Sequence, residues 1–462
     1  MAENKSAFLE QEPINRLLFR LAIPTVAAQI INMLYNIVDR IYIGHISGVG
    51  DMALTGVGVC LPVILIVSAF AALIGSGGGP RASIAMGRKE YGEAERIMGV
   101  CLFFLAAISV VLTGVLLVWN RPLLLAFGAS ENTIEYAAAY MSIYAAGTVF
   151  VQLTLGMNPF ITAQGFTRVG MMTVLIGAGL NILLDPLFIF AFDMGVRGAA
   201  LATVLSQAVS CLWVLLFLAK SKNTALQLRR KYIRPDFAGV APCAALGVAP
   251  FIMQSSESVI AVCFNASLLK YGGDVAVGAM TILSSVMQFA MMPLQGLAAG
   301  AQPIISYNYG AGREDRVRAA FRLLLKVSLI YSFGLWALVQ LFPTAFAGIF
   351  TADGMLRSFA AEALRIYCAV LCVFGIQVAC QMTFVSLGKA GASVLVAVMR
   401  KFVLLLPLIY IMPRFMADKT RAVYTAEPVA DFLAVSFTAV LFFFQFRKTM
   451  ARIPPREEKN DE

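Results

Sequence analysis

The chain of 462 residues contains little charge and almost no histidine. Charged residues make up 13% of it and histidine occurs once, whereas hydrophobic residues reach 60%. A soluble domain carries about 25% charged and about 45–50% apolar residues, so this chain cannot be a set of soluble domains. Disordered and fibrous classes are excluded by the same figures. The composition indicates a protein that crosses a membrane many times.

Motifs typical of enzymes and ATPases are missing. The sequence has no Gly-x-x-x-x-Gly-Lys-Ser/Thr phosphate-binding loop and no Gly-x-Ser-x-Gly nucleophile turn. A single histidine excludes His-x-x-His zinc sites, and the eight cysteines include no Cys-x-x-Cys pair. We therefore expect no cofactor and no enzymatic activity, and we expect an ion gradient to drive any transport.

Twelve apolar runs are each long enough to cross a membrane as a helix. A hydrocarbon core near 30 Å needs about 20 helical residues, whereas a barrel strand would alternate over about ten. We number these runs as spans 1 to 12 and expect an all-α membrane protein. In order, the spans cover residues 17–39, 52–76, 97–119, 136–158, 169–192, 197–219, 238–264, 275–300, 321–343, 360–386, 393–413 and 428–446.

Basic residues between the spans predict the orientation. The N-terminus, the even-numbered loops and the C-terminal tail hold 25 Lys and Arg residues, and the odd-numbered loops hold 8, when each loop is counted with the span ends that adjoin it. The remaining three, Arg365, Arg400 and Lys401, are assigned to the spans themselves. By the positive-inside rule, both termini and the basic segment 220–234 face the cytoplasm. The net charge of +10 thus indicates topology and contact with membrane lipids, not binding to nucleic acid.

The second half of the sequence repeats the first. At an offset of 223 residues Pro80 pairs with Pro303 and Tyr144 with Tyr367. Six spans separate equivalent positions, so both halves have the same orientation and are related by an axis along the membrane normal. We expect two parallel six-helix bundles with a central cleft. The predicted divisions are a tail 1–13, a bundle 14–219, a linker 220–237, a bundle 238–446 and a tail 447–462.

Polar residues recur at helical spacing inside several spans, where burying them is costly. Spacings of three and four residues put those of one span on one helical face. They are Gln29, Asn32, Tyr35, Asn36 and Asp39 in span 1, Asn181 and Asp185 in span 5, Thr203 and Gln207 in span 6 (on one face with Ala199), Gln254, Glu257 and Asn265 in span 7, and Gln377 and Gln381 in span 10.

These polar residues have two interpretations. Interhelical hydrogen bonds, worth about 0.6 kcal/mol each on average, explain the amides and hydroxyls as scaffold. Burying a carboxylate only to hold helices together costs more free energy, so Asp39, Asp185 and Glu257 indicate an ion path. Asp39 aligns with Asn265 and Asp185 with Leu406 in the repeat. Because the acids of spans 1 and 5 lack acidic counterparts, the sequence predicts an ion site in the first half alone.

Arg400 and Lys401 lie near the middle of span 11. One interpretation is that one of them reaches the membrane surface while the other pairs with a buried acid such as Glu257. The other interpretation is a charge relay or a substrate gate.

Glycines in two spans lead to two further predictions. The run at 75–79, followed by Pro80, predicts that the helix of span 2 ends there. Gly296 and Gly300 have the Gly-x-x-x-Gly spacing that is typical of close helix packing.

Four segments match one family pattern in order and spacing: YNIVDRIYIGH in span 1, GGGPRASIAMGRKE after span 2, NILLDPLFIF in span 5 and GVRGAALATVLSQ in span 6. Through them the chain resembles the MATE (multidrug and toxic compound extrusion) family, and within it the bacterial MepA-like branch, over about residues 14–446. The resemblance implies multidrug efflux by antiport across the plasma (inner) membrane: amphipathic, mostly cationic compounds leave in exchange for H⁺ or Na⁺ by alternating access. A monomer is expected, since one chain completes the cleft.

The resemblance also implies which residues couple transport to the ion. Glu257 is similar to an acid that some members carry in span 7. Two departures are the absence of an acid in span 10, where Gln377 and Gln381 stand, and Asn32 in place of a glutamine of archaeal relatives. The implied coupling residues are Asp39, Asn181, Asp185 and Thr203, with Ala199 as the adjacent backbone contributor.

From the residues themselves, we expect Asp39 and Asp185 to share a desolvated site in the first bundle. That site would take up H⁺, or Na⁺ held by Asp39, Asn181 and Thr203 with backbone carbonyls, because oxygen ligands suit a hard cation. An alternative is a lipid-linked oligosaccharide flippase or a narrow metabolite exporter of the same superfamily. A flippase would be expected to carry more cationic residues in the cleft.

Overall fold

A computed structural model describes residues 6–46, 48–221 and 224–452. Residues 1–5 and 453–462 of the predicted tails, Ser47, and residues 222–223 of the predicted linker lie outside the described part. Within the described part the chain forms helices and no strand, which confirms the predicted all-α fold class.

Each predicted span falls on a helix or on consecutive helices. Shorter helices lie at Phe8–Gln11, Asn120–Ala126, Arg230–Tyr232 and Pro343–Gly348. From span 1 to span 12, the helices are Ile14–Gly44, Gly50–Gly87, Tyr91–Val118, Ile134–Ala146 with Thr148–Ala163, Thr167–Pro186 with the π-helical turn Leu187–Ala191, Gly195–Lys220, Phe237–Gly310 (spans 7 and 8), Glu314–Leu341, Gly354–Tyr367 with Leu371–Val373 and Phe374–Ser386, Ala390–Val398 with the π-helical Met399–Leu405, Leu406–Ile411 and Met412–Arg414, and Lys419–Met450.

The span count rests on one broken helix and two bent pairs. The described residues contain nine helices long and apolar enough to cross a membrane, together with pairs bent by 58° in span 4 and 47° in span 10. The stretch Phe237–Gly310 has 74 residues but is interrupted at Gly273, where φ is 64° and ψ is −162°. A straight helix of that length would be about 110 Å long, far beyond a core of about 30 Å. Its two parts are therefore separate spans, consistent with twelve.

The sequence repeat recurs in the backbone. The short helix Asn120–Ala126 follows span 3, and Pro343–Gly348 follows span 9 in the same place. Spans 4 and 10 are the two bent spans, and spans 5 and 11 each contain a π-helical segment. Gly165 and Gly388, 223 residues apart, both adopt positive φ before those spans. The two halves thus share local irregularities as well as helix order.

The halves meet where glycines let two backbones touch. A Cβ added to Gly87 of span 2 would lie 2.1 Å from the carbonyl oxygen of Tyr307 in span 8. A Cβ on Gly310 of span 8 would lie 2.0 Å from the carbonyl oxygen of Ile84 in span 2. The 223-residue offset exchanges these two contacts, so the repeat axis passes between them.

A second pair of contacts joins span 8 to span 1. A Cβ on Gly296 would lie 2.5 Å from the Cα of Val26, and one on Gly300 would lie 2.4 Å from the Cα of Ala22. The prediction of close helix packing at this Gly-x-x-x-Gly pair is confirmed.

The prediction that the helix of span 2 ends at the glycine run 75–79 is wrong. The helix continues to Gly87. A Cβ on Gly77 would lie 1.9 Å from the carbonyl oxygen of Cys243 in span 7. The glycines therefore allow close packing inside the membrane and do not terminate the helix.

The contacts between the halves lie toward one side of the membrane. They involve residues 22–26, 77–87 and 296–310, toward the side where span 1 begins and span 12 ends, called the terminal side below. Farther from that side, polar residues of spans 1 and 7 are exposed, among them Asn36 and Glu257. The predicted central cleft would therefore open away from the terminal side.

Replacing Gly310 by alanine tests this interface. The new Cβ would overlap the backbone of Ile84, so we expect Gly310→Ala to destabilise the fold by about 1–3 kcal/mol and to separate spans 2 and 8. Thermal unfolding in detergent and a spin-label distance between those spans measure both effects. Gly334→Ala is the matched control, because a Cβ at Gly334 of span 9 has no neighbour within 4 Å. Equal melting temperatures for the two variants would contradict the proposed contact.

Candidate ion and substrate site

Spans 5 and 6 share a buried polar group. Asn181 and Asp185 lie one helical turn apart, and the Asn181 amide donates to Asp185 Oδ1 over 3.2 Å. The same amide lies 3.4 Å from Thr203 Oγ1, and that hydroxyl donates to the Ala199 carbonyl over 3.0 Å. Asn181 is 2% exposed and Asp185 is 0% exposed. Four of the five implied coupling residues are thus joined in one network.

The backbone of span 5 is irregular directly after this network. Pro186 follows Asp185 and lacks an amide hydrogen, so the carbonyl of Ile182 loses its helical partner. The π-helical turn Leu187–Ala191 then begins. Segments of this kind occur frequently at functional sites, and here the irregularity lies one residue from a buried carboxyl group.

Span 1 brings Asp39 to the same group. The carboxyl groups of Asp39 and Asp185 lie close enough to interact electrostatically with each other. Among the described residues, none donates a hydrogen bond to the buried atoms Asp39 Oδ1, Asp185 Oδ2 and Asn181 Oδ1. Buried acceptors without donors are costly, and two ionised carboxylates in contact repel each other. The arrangement therefore suits a bound proton or cation.

Three tyrosines surround the carboxyl pair. Tyr35 of span 1 is near Asp39, and Tyr140 of span 4 lies beside Thr203. The rings of Tyr140 and Tyr144 stack with centroids 6.3 Å apart. The sequence analysis missed Tyr140 and Tyr144 as site residues. The available signal was their spacing of four in the alanine-rich run EYAAAYMSIY.

The donor set consists of oxygen atoms. The described residues contain no group of three His, Cys, Asp or Glu side chains that could hold a metal ion. Of the three predicted Na⁺ ligands, Asp39 and Asn181 each have a free oxygen. Thr203 already donates to a carbonyl and accepts from Asn181, but its oxygen retains a second lone pair. The residues fit a proton or a single Na⁺ ion.

The second half holds charged pairs in place of an open acidic site. Lys401 Nζ lies 2.7 Å from Glu257 Oε1, which agrees with the pairing interpretation for Lys401. Arg400 does not reach the membrane surface. It is 7% exposed and lies 2.7 Å from Asp431 and 3.4 Å from Glu427 in span 12.

The sequence analysis also missed Glu427 and Asp431. Glu427 lies one residue before the predicted start of span 12 at 428, whereas the helix begins at Lys419. Asp431 lies inside the predicted span but was not singled out. The available signal was two acids four residues apart, which share a helical face.

The remaining cleft candidates differ in exposure. Asn32, Asn36 and Asn265 are exposed, and Gln377 is buried. Asn36 donates to the Asn32 carbonyl over 2.6 Å, and Gln377 donates to Gln381 over 3.3 Å. The half-buried candidates are Gln29, Gln207, Gln254 and Gln381.

Comparison with known proteins identifies the family. The MatE family model matches residues 24–187 and 250–411, one segment in each half. The multidrug export protein MepA of Staphylococcus aureus (strain NCTC 8325 / PS 47) is 23% identical over 412 residues, 89% of this chain and 90% of its own. MepA of Staphylococcus haemolyticus (strain JCSC1435) is 23% identical over 438 residues, covering 94% and 95%.

A solved structure supports the same assignment. The structure of the MATE multidrug transporter DinF-BH superposes with a TM-score of 0.87 at 32% identity, covering 96% of this chain and 98% of that one. Because the family model spans more than half of the chain, and this relative exceeds 30% identity over nearly all of it, the chain belongs to the MATE family of membrane transporters.

Proposed function

We propose that the protein is a multidrug efflux antiporter that exports amphipathic, mostly cationic compounds in exchange for H⁺ or Na⁺. The observation that carries the proposal is the Asp39–Asp185 carboxyl pair, which has unsatisfied oxygens and no cationic side chain bonded to it among the described residues. Such a pair binds a cation when the site is open to one side and releases it when the site opens to the other.

The coupling residues of this proposal are Asp39, Asn181, Asp185 and Thr203, with Ala199 supplying a carbonyl. A bound cation would neutralise the repulsion between the two carboxyl groups and draw span 1 toward span 5. Span 1 also contacts span 8 of the other half through Val26 and Gly296. A shift of span 1 therefore reaches the interface between the halves, which is how ion binding would alter access to the cleft.

Glu257 and the names of the relatives support the proposed substrate class. The Glu257 side chain is 56% exposed and bonds Lys401 through Oε1, so its Oε2 atom is the one we propose for an amphipathic cation. The Staphylococcus relatives are named multidrug export proteins, and DinF-BH is named a multidrug transporter. We include the other polar residues of spans 1, 6, 7 and 10 as candidates for the wall of the cleft.

The orientation and the divisions of the chain belong to the same proposal. The excess of basic residues in the even-numbered loops supports a cytoplasmic terminal side at the plasma membrane, so the cleft faces outward. We assign the bundles to 14–219 and 238–446, the linker to 220–237, and the tails to 1–13 and 447–462. A monomer suffices, because both walls of the cleft come from one chain.

No observation favours a flippase for anionic lipid-linked substrates. Such a protein needs free cations in its cleft. The cations of span 11, Arg400 and Lys401, are 7% and 4% exposed and are paired with acids.

Neutralising either carboxyl group should abolish coupled transport. We expect Asp39→Asn and Asp185→Asn each to raise ethidium accumulation in an efflux-deficient bacterium to the level of cells without the transporter. Neither variant can hold an exchangeable cation between two carboxylates. Asp51→Asn, an exposed acid of span 2, is the matched control. A protonophore and a series of Na⁺ concentrations identify the ion, and wild-type efflux by either site variant would refute the scheme.

Removing the Thr203 hydroxyl should weaken ion binding without abolishing it. Loss of one hydrogen bond costs about 1 kcal/mol, so Thr203→Val should raise the ion concentration for half-maximal ethidium efflux about fivefold. Thr203→Ser keeps the hydroxyl and should resemble the wild type. Efflux from membrane vesicles at varied pH and Na⁺ measures this shift. If valine and serine variants behave alike, Thr203 has no part in the site.

A further inference from the structure

Five charged side chains of the second half form one group, here called the resident-charge cluster. Its members are Glu257 of span 7, Arg400 and Lys401 of span 11, and Glu427 and Asp431 of span 12. Arg400 bonds Asp431 through Nε over 2.7 Å and also lies 4.7 Å from the centroid of the Phe374 ring. Apart from Glu257, every side chain of the cluster is at most 9% exposed.

The acids of span 12 occupy positions equivalent to polar site residues of span 6. Buried residues of span 6 at 198–200, 202, 206, 210, 211, 214 and 218 recur as buried residues of span 12 at an offset of 224 positions. At that offset Thr203 corresponds to Glu427 and Gln207 to Asp431. The two helices therefore present the same face to their bundles, with carboxylates in the second half where the first half has a hydroxyl and an amide.

The cations of span 11 lie at the level of the polar residues of span 5. Buried Asn181, Asp185 and Ile189 are spaced by four residues, and Lys401, Leu405 and Ile409 are buried with the same spacing. By burial Asp185 thus corresponds to Leu405, one position from the Leu406 of the sequence alignment. In the first half, span 5 bonds span 6 through Asn181 and Thr203. In the second half, span 11 bonds span 12 through Arg400, the neighbour of Lys401, and Glu427.

From this correspondence we infer that Arg400 and Lys401 are resident cations that fill the second-half counterpart of the ion site. The second half therefore takes up no coupling ion, and the protein exchanges one cation per cycle, at Asp39 and Asp185. The inference rests on the proposed antiport for the role of the first half. Arg400 and Lys401 act as positioning residues, because they hold acids in place and do not leave.

The chemistry of Arg400 explains why this resident cation remains bound. A guanidinium does not lose its proton in proteins, and its planar fork can bond two carboxylates at once. Arg400 does so with Asp431 and Glu427 and is covalently part of the chain. In the first half, Asp39 Oδ1 and Asp185 Oδ2 accept no hydrogen bond from any of the described residues.

The ion pairs of the cluster use both cations. Arg400 bonds Asp431 and Glu427, and Lys401 bonds Glu257. Each acid of the cluster therefore has a side-chain cation beside it, and none is left to an ion from solution. Glu257, whose side chain is 56% exposed, is the exposed member of the cluster.

The experiment counts the cations bound by each purified chain. Bound ²²Na⁺ is measured directly, and bound protons are measured by their release into a pH indicator when ethidium is added. We expect one cation for the wild type and none for Asp39→Asn. Arg400→Gln leaves Glu427 and Asp431 without their cation, and we expect it to bind two. Arg400→Lys keeps a charge, and Arg400→Gln with Asp431→Asn restores balance, so both should return to one.

The outcomes separate this inference from the proposed antiport. Two cations on the wild type, with one remaining in Asp39→Asn, would overturn the inference and leave the antiport intact. A count of one for Arg400→Gln would also overturn the inference. No cation on the wild type but one on Arg400→Gln would support the resident-cation role and overturn ion exchange in the first half. If Arg400→Gln does not fold, the wild-type and Asp39→Asn counts still decide the question.

Discussion

An ionised carboxylate between apolar helices requires a positive partner, and both halves of the chain are organised around that requirement. Desolvating such a charge costs several kcal/mol unless it is paired and hydrogen-bonded. In the second half Glu427 and Asp431 are matched by Arg400. In the first half Asp39 and Asp185 face each other with acceptor atoms to spare. The same physical requirement is met by a side chain in the second half, and in the proposed antiport it would be met by an ion in the first.

Close helix packing connects the ion site to the rest of the molecule. Asp39 lies near the C-terminal end of span 1. Ala22 and Val26, near the N-terminal end of the same span, contact Gly300 and Gly296 of span 8. Helix backbones in such contact cannot slide independently, because there is no side-chain layer to absorb the motion. In the proposed antiport, a change of charge at Asp39 would therefore be transmitted to the interface between the bundles. Ion exchange and access to the cleft would then both depend on the position of span 1.

Much of the fold was predictable because apolar length and charge count are strong signals in a membrane protein. The twelve spans and the repeat followed from them. The end of the span 2 helix was not predicted correctly. A glycine run terminates a helix in water but permits close helix packing in lipid, as Gly77 does against Cys243. The choice depends on a neighbouring helix that is distant in the sequence.

The first-half site was predictable to a similar extent. Spacing and charge identified the residues that gather around Asp185, because a helix turn fixes which side chains of one span are neighbours. Tyr140 and Glu427 were missed for different reasons. A tyrosine in an apolar run has no charge to mark it, and Glu427 lay just outside the boundary estimated from hydropathy, although its helix begins eight residues earlier at Lys419.

The paired contacts of Gly87 with Tyr307 and of Gly310 with Ile84 have an evolutionary consequence. An interface in which position i meets j while j meets i is isologous, the type formed by two identical subunits about a two-fold axis. A half-length ancestor with six helices would carry one complete copy of this self-complementary patch and could assemble as a parallel homodimer. Gene fusion would then free each half to mutate alone, so that arginine and lysine could enter one copy while the other kept its open carboxyl pair.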